Sequence, residues 1–359
     1  MNAAKSPFIK KEVSCPVCSS PAQNRFIMPK SYLESEVDND RHVKRYKWLD
    51  SDFDSYHPPF YHFWHCPTCK YTSSQRDFLK PGEDQQSNFS LLKRCVQQMK
   101  PNQKQIVQLL GSDINYDNVT FSMALNAHLL ALFIQELPPA PDRDDNKIAS
   151  YYLRAGWLIR EQMEKEDPDG EFENYKMFLE KLSKLWPGVP QSESECMNQA
   201  AESFQKAYQS HPRYADILHA TDLMILIGEI YMRAGDMPAA MKTLTNVMQT
   251  GQKFRGQMGE TLRKEKEAGR LTASRKAQLD AQANKVNVLM DKAGDMRQEI
   301  IKIKMAKQEP KAKAVVAKLE AKGFETEQIR EKMQEFNFEP QLITKLLGPP
   351  KKKKFLGLF

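Results

Sequence analysis

The chain has 359 residues, 28% charged and 40% hydrophobic, and its formal net charge is +7. That is enough length for two or three domains and the composition of a folded, mildly basic protein. No apolar run approaches the roughly 18 residues needed to cross a bilayer, and Met1-Asn2-Ala3-Ala4-Lys5-Ser6-Pro7 has no apolar core of a secretory signal.

In chain order, the first chemistry-bearing feature is Cys15-Pro16-Val17-Cys18, and it has a counterpart in Cys66-Pro67-Thr68-Cys69. Each pair presents two thiolates from a tight turn, and together they offer the four soft ligands of a closed tetrahedral site. Zinc is the expected ion; sequence does not separate it from iron held by four sulfurs. Four protein ligands leave no open position for water or substrate, so the metal is expected to be structural. A redox role for either pair would call for a βαβ setting with a helix after the first Cys, and neither pair shows one. Metal-binding thiols fit a reducing compartment, so the cytoplasm is the expected location. Cys95 and Cys196 fall on helical patterns and read as small core residues.

Between the pairs, Tyr46, Trp48, Phe53, Tyr56, Phe60, Tyr61, Phe63 and Trp64 crowd a β-leaning stretch. A small metal module needs such side chains to build a core. Alternation in Phe60–Cys66 predicts a strand leading into the second knuckle, as in a zinc ribbon. A base-stacking surface would need interleaved cations, and Arg41, Lys44, Arg45 and Lys47 are the candidates. His57, His62 and His65 read as loop or partly buried histidines, because four cysteines already complete the ligand set.

From about residue 87 the pattern is helical. Pro101 breaks the 88–110 segment, and Pro138-Pro139 ends an apolar helix over 119–137. Helices are predicted near 146–163, 172–185, 193–210, 218–234 and 237–250. Gly228, Tyr231 and Ala240 fall at the offsets of a tetratricopeptide helix pair, where small residues permit close helix approach. Ala200, Phe204, Ala207 and Pro212 match the second helix of another pair. Its first helix, containing Gly156, lies upstream of a predicted insertion over 165–190. A generic helical bundle would share these small residues.

The segments Cys15-Pro16-x-Cys18, Asp52-Phe53-Asp54-Ser55-Tyr56, Pro58–Tyr61, Cys66-Pro67-x-Cys69-Lys70-Tyr71, Tyr152-Leu153-Arg154-Ala155-Gly156-Trp157-Leu158-Ile159-Arg160-Glu161 and Ile227–Arg233 together resemble a bacterial family known only as domain of unknown function 2225. The resemblance covers about residues 10–250. It implies an N-terminal double-CxxC module joined to tetratricopeptide-like helices, and no activity. Family members usually place Gly after the second Cys pair, where this chain has Lys70.

Residues 253–309 predict a long polar helix ended by Pro310. Leu279, Val286, Ala293 and Ile300 recur every seven residues, with Leu289, Met296 and Ile303 offset. The stripe fits either a coiled coil that makes an oligomer through 279–303 or packing within the chain. Short helices near 312–321, 325–336 and 339–347 resemble a ubiquitin-associated-type bundle with Phe324, Ile329, Met333, Leu342, Leu346 and Leu347 as core; a docked hairpin is the plainer reading. The tail Lys351-Lys352-Lys353-Lys354-Phe355-Leu356-Gly357-Leu358-Phe359 follows a Pro-Pro spacer. Its Phe355, Leu356, Leu358 and Phe359 suit a pocket on a protein partner. With the lysines they also suit peripheral contact at the inner membrane surface, and a disordered tail is the bland reading.

The predicted organisation is thus a mostly α protein: a β-rich zinc-ribbon-like module (1–85), tetratricopeptide-like hairpins (86–252), a long helix or coiled coil (253–309), a small helical segment (310–348) and the tail (349–359). No Gly-rich phosphate loop, GxSxG or HExxH is present. The expected function is a non-enzymatic adaptor for protein partners. Nucleic-acid binding through the zinc ribbon and segment 41–47 is the alternative.

Overall fold

A computed structural model describes residues 6–82, 88–165 and 170–350. The tail residues Lys351–Phe359, singled out above, lie outside the described residues. Compact packing divides the chain between Ala240 and Met241.

The N-terminal unit begins with three antiparallel hairpins: β1 (Phe8–Ser14) with β2 (Pro21–Ile27), β3 (Tyr32–Val37) with β4 (Val43–Trp48), and β5 (Phe63–His65) with β6 (Thr72–Ser74). Ser14 pairs with Pro21 and His65 with Thr72. The first and third hairpins therefore each turn through one Cys-x-x-Cys. The strand expected from Phe60 starts only at Phe63, because Pro58-Pro59 opens a 3-10 turn over Pro58–Tyr61. In the middle hairpin the pairing of Tyr32 with Trp48 and Glu34 with Tyr46 puts these four on one face. Trp48 is buried there, while Leu33 and Val37 on the other face stay exposed.

Helices take over after β6: α1 (Gln75–Leu79), α2 (Phe89–Gln97), α3 (Pro101–Gly111), α4 (Phe121–Glu136), α5 (Asp145–Met163), α6 (Glu171–Ser183), α7 (Glu193–Ser210) and α8 (Ile217–Ala234). Their starts follow capping chemistry. Thr120, Asp144, Ser192 and Asp216 each accept a backbone N–H of the first turn of α4, α5, α7 and α8. Pro101 takes the first position of α3, where a backbone N–H has no intrahelical partner to lose. The apolar α4 is buried on nearly every side. Against it and α5 sits the third hairpin, with the Phe63 ring 4.6 Å from His128 and 4.7 Å from Tyr151. The largest helix–helix packing in this unit joins α5 to α7, although α6 intervenes in sequence. Gly235 closes α8 with a left-handed φ of 85°.

Helix α9 (Met237–Glu267) leads into the C-terminal unit, followed by α10 (Ala273–Glu320), α11 (Thr326–Glu335) and α12 (Pro340–Leu347). Two expectations are corrected here. The segment 253–309 is not one helix: residues 268–272 interrupt it, with Gly269 at φ 64° and Thr272 capping α10. Nor does Pro310 end α10, which continues to Glu320. Pro310 and Ala306, whose carbonyl loses its partner, are both on the exposed side, where water replaces the missing bond.

The break turns the two helices antiparallel. Arg275 Nε lies 3.3 Å from Glu265 Oε1, and Arg297 Nε 3.5 Å from Met241 Sδ. Midway, Val286 and Met290 press on Gly251. Leu279, Val286, Ala293 and Ile300 are buried within the single chain. At the far end, Ala312, Ile329, Met333, Phe338, Leu342 and Ile343 form one core, with Phe324, Leu346 and Leu347 packed on it. The small bundle borrows its first helix from the end of α10.

Candidate metal centre

Each knuckle is built from backbone geometry before any metal chemistry. Cys15 donates its N–H to Ser20 O (2.9 Å) and accepts one from Ser19 N (2.9 Å). Cys66 repeats this with Tyr71 O (2.8 Å) and Lys70 N (2.8 Å). The residue after the second Cys is left-handed in both knuckles, Ser19 at φ 63° and Lys70 at φ 64°. Neither residue is a glycine, and both adopt the turn nonetheless.

The four sulfurs converge. Cys15 Sγ is 3.6 Å from Cys69 Sγ, Cys18 Sγ is 3.6 Å from Cys66 Sγ, and all four lie within 4.8 Å of one another. A zinc ion with four sulfurs at about 2.3 Å sets those sulfurs about 3.8 Å apart. The donor set therefore fits one tetrahedral ion, and the same geometry suits iron.

The close sulfurs also perturb one another's protonation. Hydrogen bonding with Cys66, reinforced by burial, pushes the Cys15 thiol up to about 11. Contacts with Cys15 and Cys66, and then burial, raise Cys69 well above the ordinary thiol range. Cys66 is held far below it, because Cys15 and Cys69 hydrogen-bond to its sulfur. Without a cation the cluster keeps protons to avoid crowding negative charge; a bound divalent cation displaces them.

Neighbouring residues fix the knuckles. Buried Asn24 accepts the His65 N–H at 2.8 Å, joining the first hairpin to the third. The His65 ring hydrogen-bonds Thr72 Oγ1 (2.8 Å), and Gln97 of α2 donates to Val17 O (3.2 Å). Burial pulls His65 down to about 4. His57, His62 and His65 stand outside the sulfur group.

Of the helix-contact residues, Ala200, Phe204, Ala207, Gly228, Tyr231 and Ala240 are buried. Gly156 is buried against α7, where a β-carbon would meet Cys196 Cβ at 3.0 Å and Met197 Cε at 2.6 Å. Cys196 is buried and Cys95 partly so.

A charged network between the β3–β4 turn and the helices leaves no signal in the sequence. Arg160 of α5, 5% exposed, contacts Asp40 Oδ2 (2.6 Å), Asp38 Oδ2 (3.4 Å) and Glu193 Oε1 (2.7 Å). Arg233 of α8 joins at Asp38 (3.2 Å). His42 Nε2 lies 2.8 Å from Glu161 Oε1, and His57 Nε2 lies 2.5 Å from Glu161 Oε2. Burial would raise the Glu161 carboxyl, but hydrogen bonds with His42 and His57 outweigh it and hold the group at about 2.

The fold and site define a class: a hairpin module whose four clustered cysteines could hold one metal ion, joined to a helical body with a long C-terminal helix. The family model described as "Uncharacterized protein conserved in bacteria (DUF2225)" matches residues 8–268, and the chain belongs to that family. No curated protein and no solved structure matches it.

Proposed function

We propose that the chain is a non-enzymatic cytoplasmic scaffold that presents a helical, tetratricopeptide-like surface to protein partners, with zinc as a structural ion. The observation that carries this reading is the donor set itself: four convergent cysteine sulfurs fill the coordination of one tetrahedral ion and leave no place for a substrate. Support for repeat-like packing comes from Gly156, whose lack of a side chain lets α5 and α7 approach closely. Among the described residues no helix is long and apolar enough to cross a membrane.

Nucleic-acid binding through segment 41–47 draws less support. Arg41 pairs with Asp222 (2.6 Å), Lys44 with Asp38 (2.8 Å) and Arg45 with Glu36 (3.0 Å), so three of its four cations already have carboxylate partners. Binding to phosphates would weaken steeply with salt. The test of the scaffold reading is a quantitative pull-down from native cells, with the full chain beside one truncated after Gly348. A specific protein retained by the full chain supports it, and its loss on truncation assigns recognition to Phe355–Phe359. Enrichment of nucleic acid with no specific protein overturns it.

A further inference from the structure

Helix α5 carries two arginines in opposite circumstances. Arg160 is surrounded by Asp38, Asp40 and Glu193. Arg154, partly buried, donates no hydrogen bond and reaches no carboxylate at ion-pair distance among the described residues. Its nearest support is the Trp157 ring, 5.7 Å from Cζ. Burial lowers its pKa, and the fields of Tyr46, Tyr151, Glu34 and Tyr32 offset that only in part. Removing a guanidinium from water with no carboxylate at ion-pair distance is costly, and stacking on an aromatic ring recovers a fraction of that cost.

The N-terminal unit also holds a cavity of about 420 Å³, within the size range of small-molecule sites. Its walls include Phe26, Tyr32, Tyr61, His62, Gln75 and Arg76, and none of its lining residues is acidic. Arg154 does not line the cavity, but its charge acts on two residues that do, Tyr32 and His62. Burial, then Arg154, then His128 keep His62 neutral, so its ring retains one N–H to donate. No side chain among the described residues hydrogen-bonds the His62 ring. The neighbouring cavity beyond Pro58 is lined by charges of both signs, Lys44 and Lys165 with Glu161 and Glu164, and points to no one ligand charge.

We propose that the cavity bounded by Tyr32, Tyr61, His62 and Arg76 binds a small aromatic anion, a ring carrying one carboxylate or phosphate. The ring packs among Phe26, Tyr32 and Tyr61. The anionic group meets Arg76 and the His62 N–H, in the field of Arg154. Arg154, which has no ion-pair partner among the described residues, then adds its field to that of Arg76.

Calorimetric titration of the metal-loaded full chain tests this with phenyl phosphate and benzoate. Inorganic phosphate serves as the control without a ring and benzyl alcohol as the control without a charge. Saturable binding of an aromatic anion, at least about tenfold tighter than either control, is the expected result. Whichever of the two anions binds more tightly identifies the head group. Arg76→Gln, on an exposed residue, and Arg154→Met should each weaken it by about tenfold or more. Arg154→Met should also raise the melting temperature of the ligand-free protein, an outcome a structural arginine would not give. No saturable binding at millimolar concentration, equal binding of a control, affinity unchanged in both variants, or a lower melting temperature for Arg154→Met would each overturn the proposal.

Discussion

Ser19 and Lys70 hold equivalent left-handed positions in the two knuckles, a conformation that costs an ordinary L-residue roughly 1–2 kcal/mol. Lys70→Gly relieves that strain but gives up the lysine stem lying against Gly111. Since the stem is partly exposed, relief of the backbone should win. The expected gain is about 0.5–1 kcal/mol in chemical denaturation of the metal-loaded protein. A loss of that size would show that the Gly111 contact outweighs the strain. Glu161 gives a pH signature. Its folded pKa of about 2 lies below the ordinary 4.5. The stability it contributes is therefore complete above the unfolded value and lost as pH falls from 4.5 towards 2. Wild type should be the more stable at pH 7, and its melting curve should converge on that of Glu161→Gln towards pH 2. Parallel curves would mean that the carboxylate contributes nothing through its ionisation. The cysteine set is legible in the sequence because local spacing encodes it. The Arg160 network is not, since Asp38 and Asp40 lie more than a hundred positions from Arg160 and leave no periodic trace.

Among the elements, α5 organises the N-terminal unit. One face carries Tyr151 to the third hairpin, another carries Arg160 and Glu161 to the charged network, and Gly156 faces α7. Gly156→Leu would drive a branched side chain into Met197 and Cys196; a loss of roughly 1–3 kcal/mol is expected for such overpacking. An unchanged unfolding midpoint would show that α7 can shift at little cost. Helix positions are readable from sequence where caps, prolines and apolar spacing agree, as they do for α4 through α8. For α9 and α10 those signals conflict, and there the expected boundaries fail. Gly269 is one of several glycines in a polar helical pattern, so its left-handed turn does not stand out. Pro310 signals a stop that an exposed helix face can ignore. The seven-residue stripe marks a buried seam, but sequence alone does not choose between a second chain and α9. Gly251 lies against Val286 and Met290, so α9 covers that part of the seam.

At the scale of the molecule, the cysteine cluster is not an appendage. Val17 of the first knuckle is bonded to α2, and Phe63, three residues before Cys66, packs on α4 and α5 through His128 and Tyr151. Trp64 and Phe78 continue this core, their rings 5.9 Å apart. If the four sulfurs hold an ion, its loss leaves them to reprotonate, and the strain falls on residues that also form the helical core. The C-terminal unit has an apolar cluster of its own, which spans α10 to α12. Scanning calorimetry of the full chain should therefore resolve a transition for the N-terminal unit that falls sharply with a strong chelator, since metal affinity is folding free energy in such sites. The transition of the C-terminal unit should stay where it was. If chelation instead melts only the hairpins and spares α4 and α5 from exchange with solvent, the module folds apart from the helices. A chelator that moves neither transition would remove the structural-metal reading altogether.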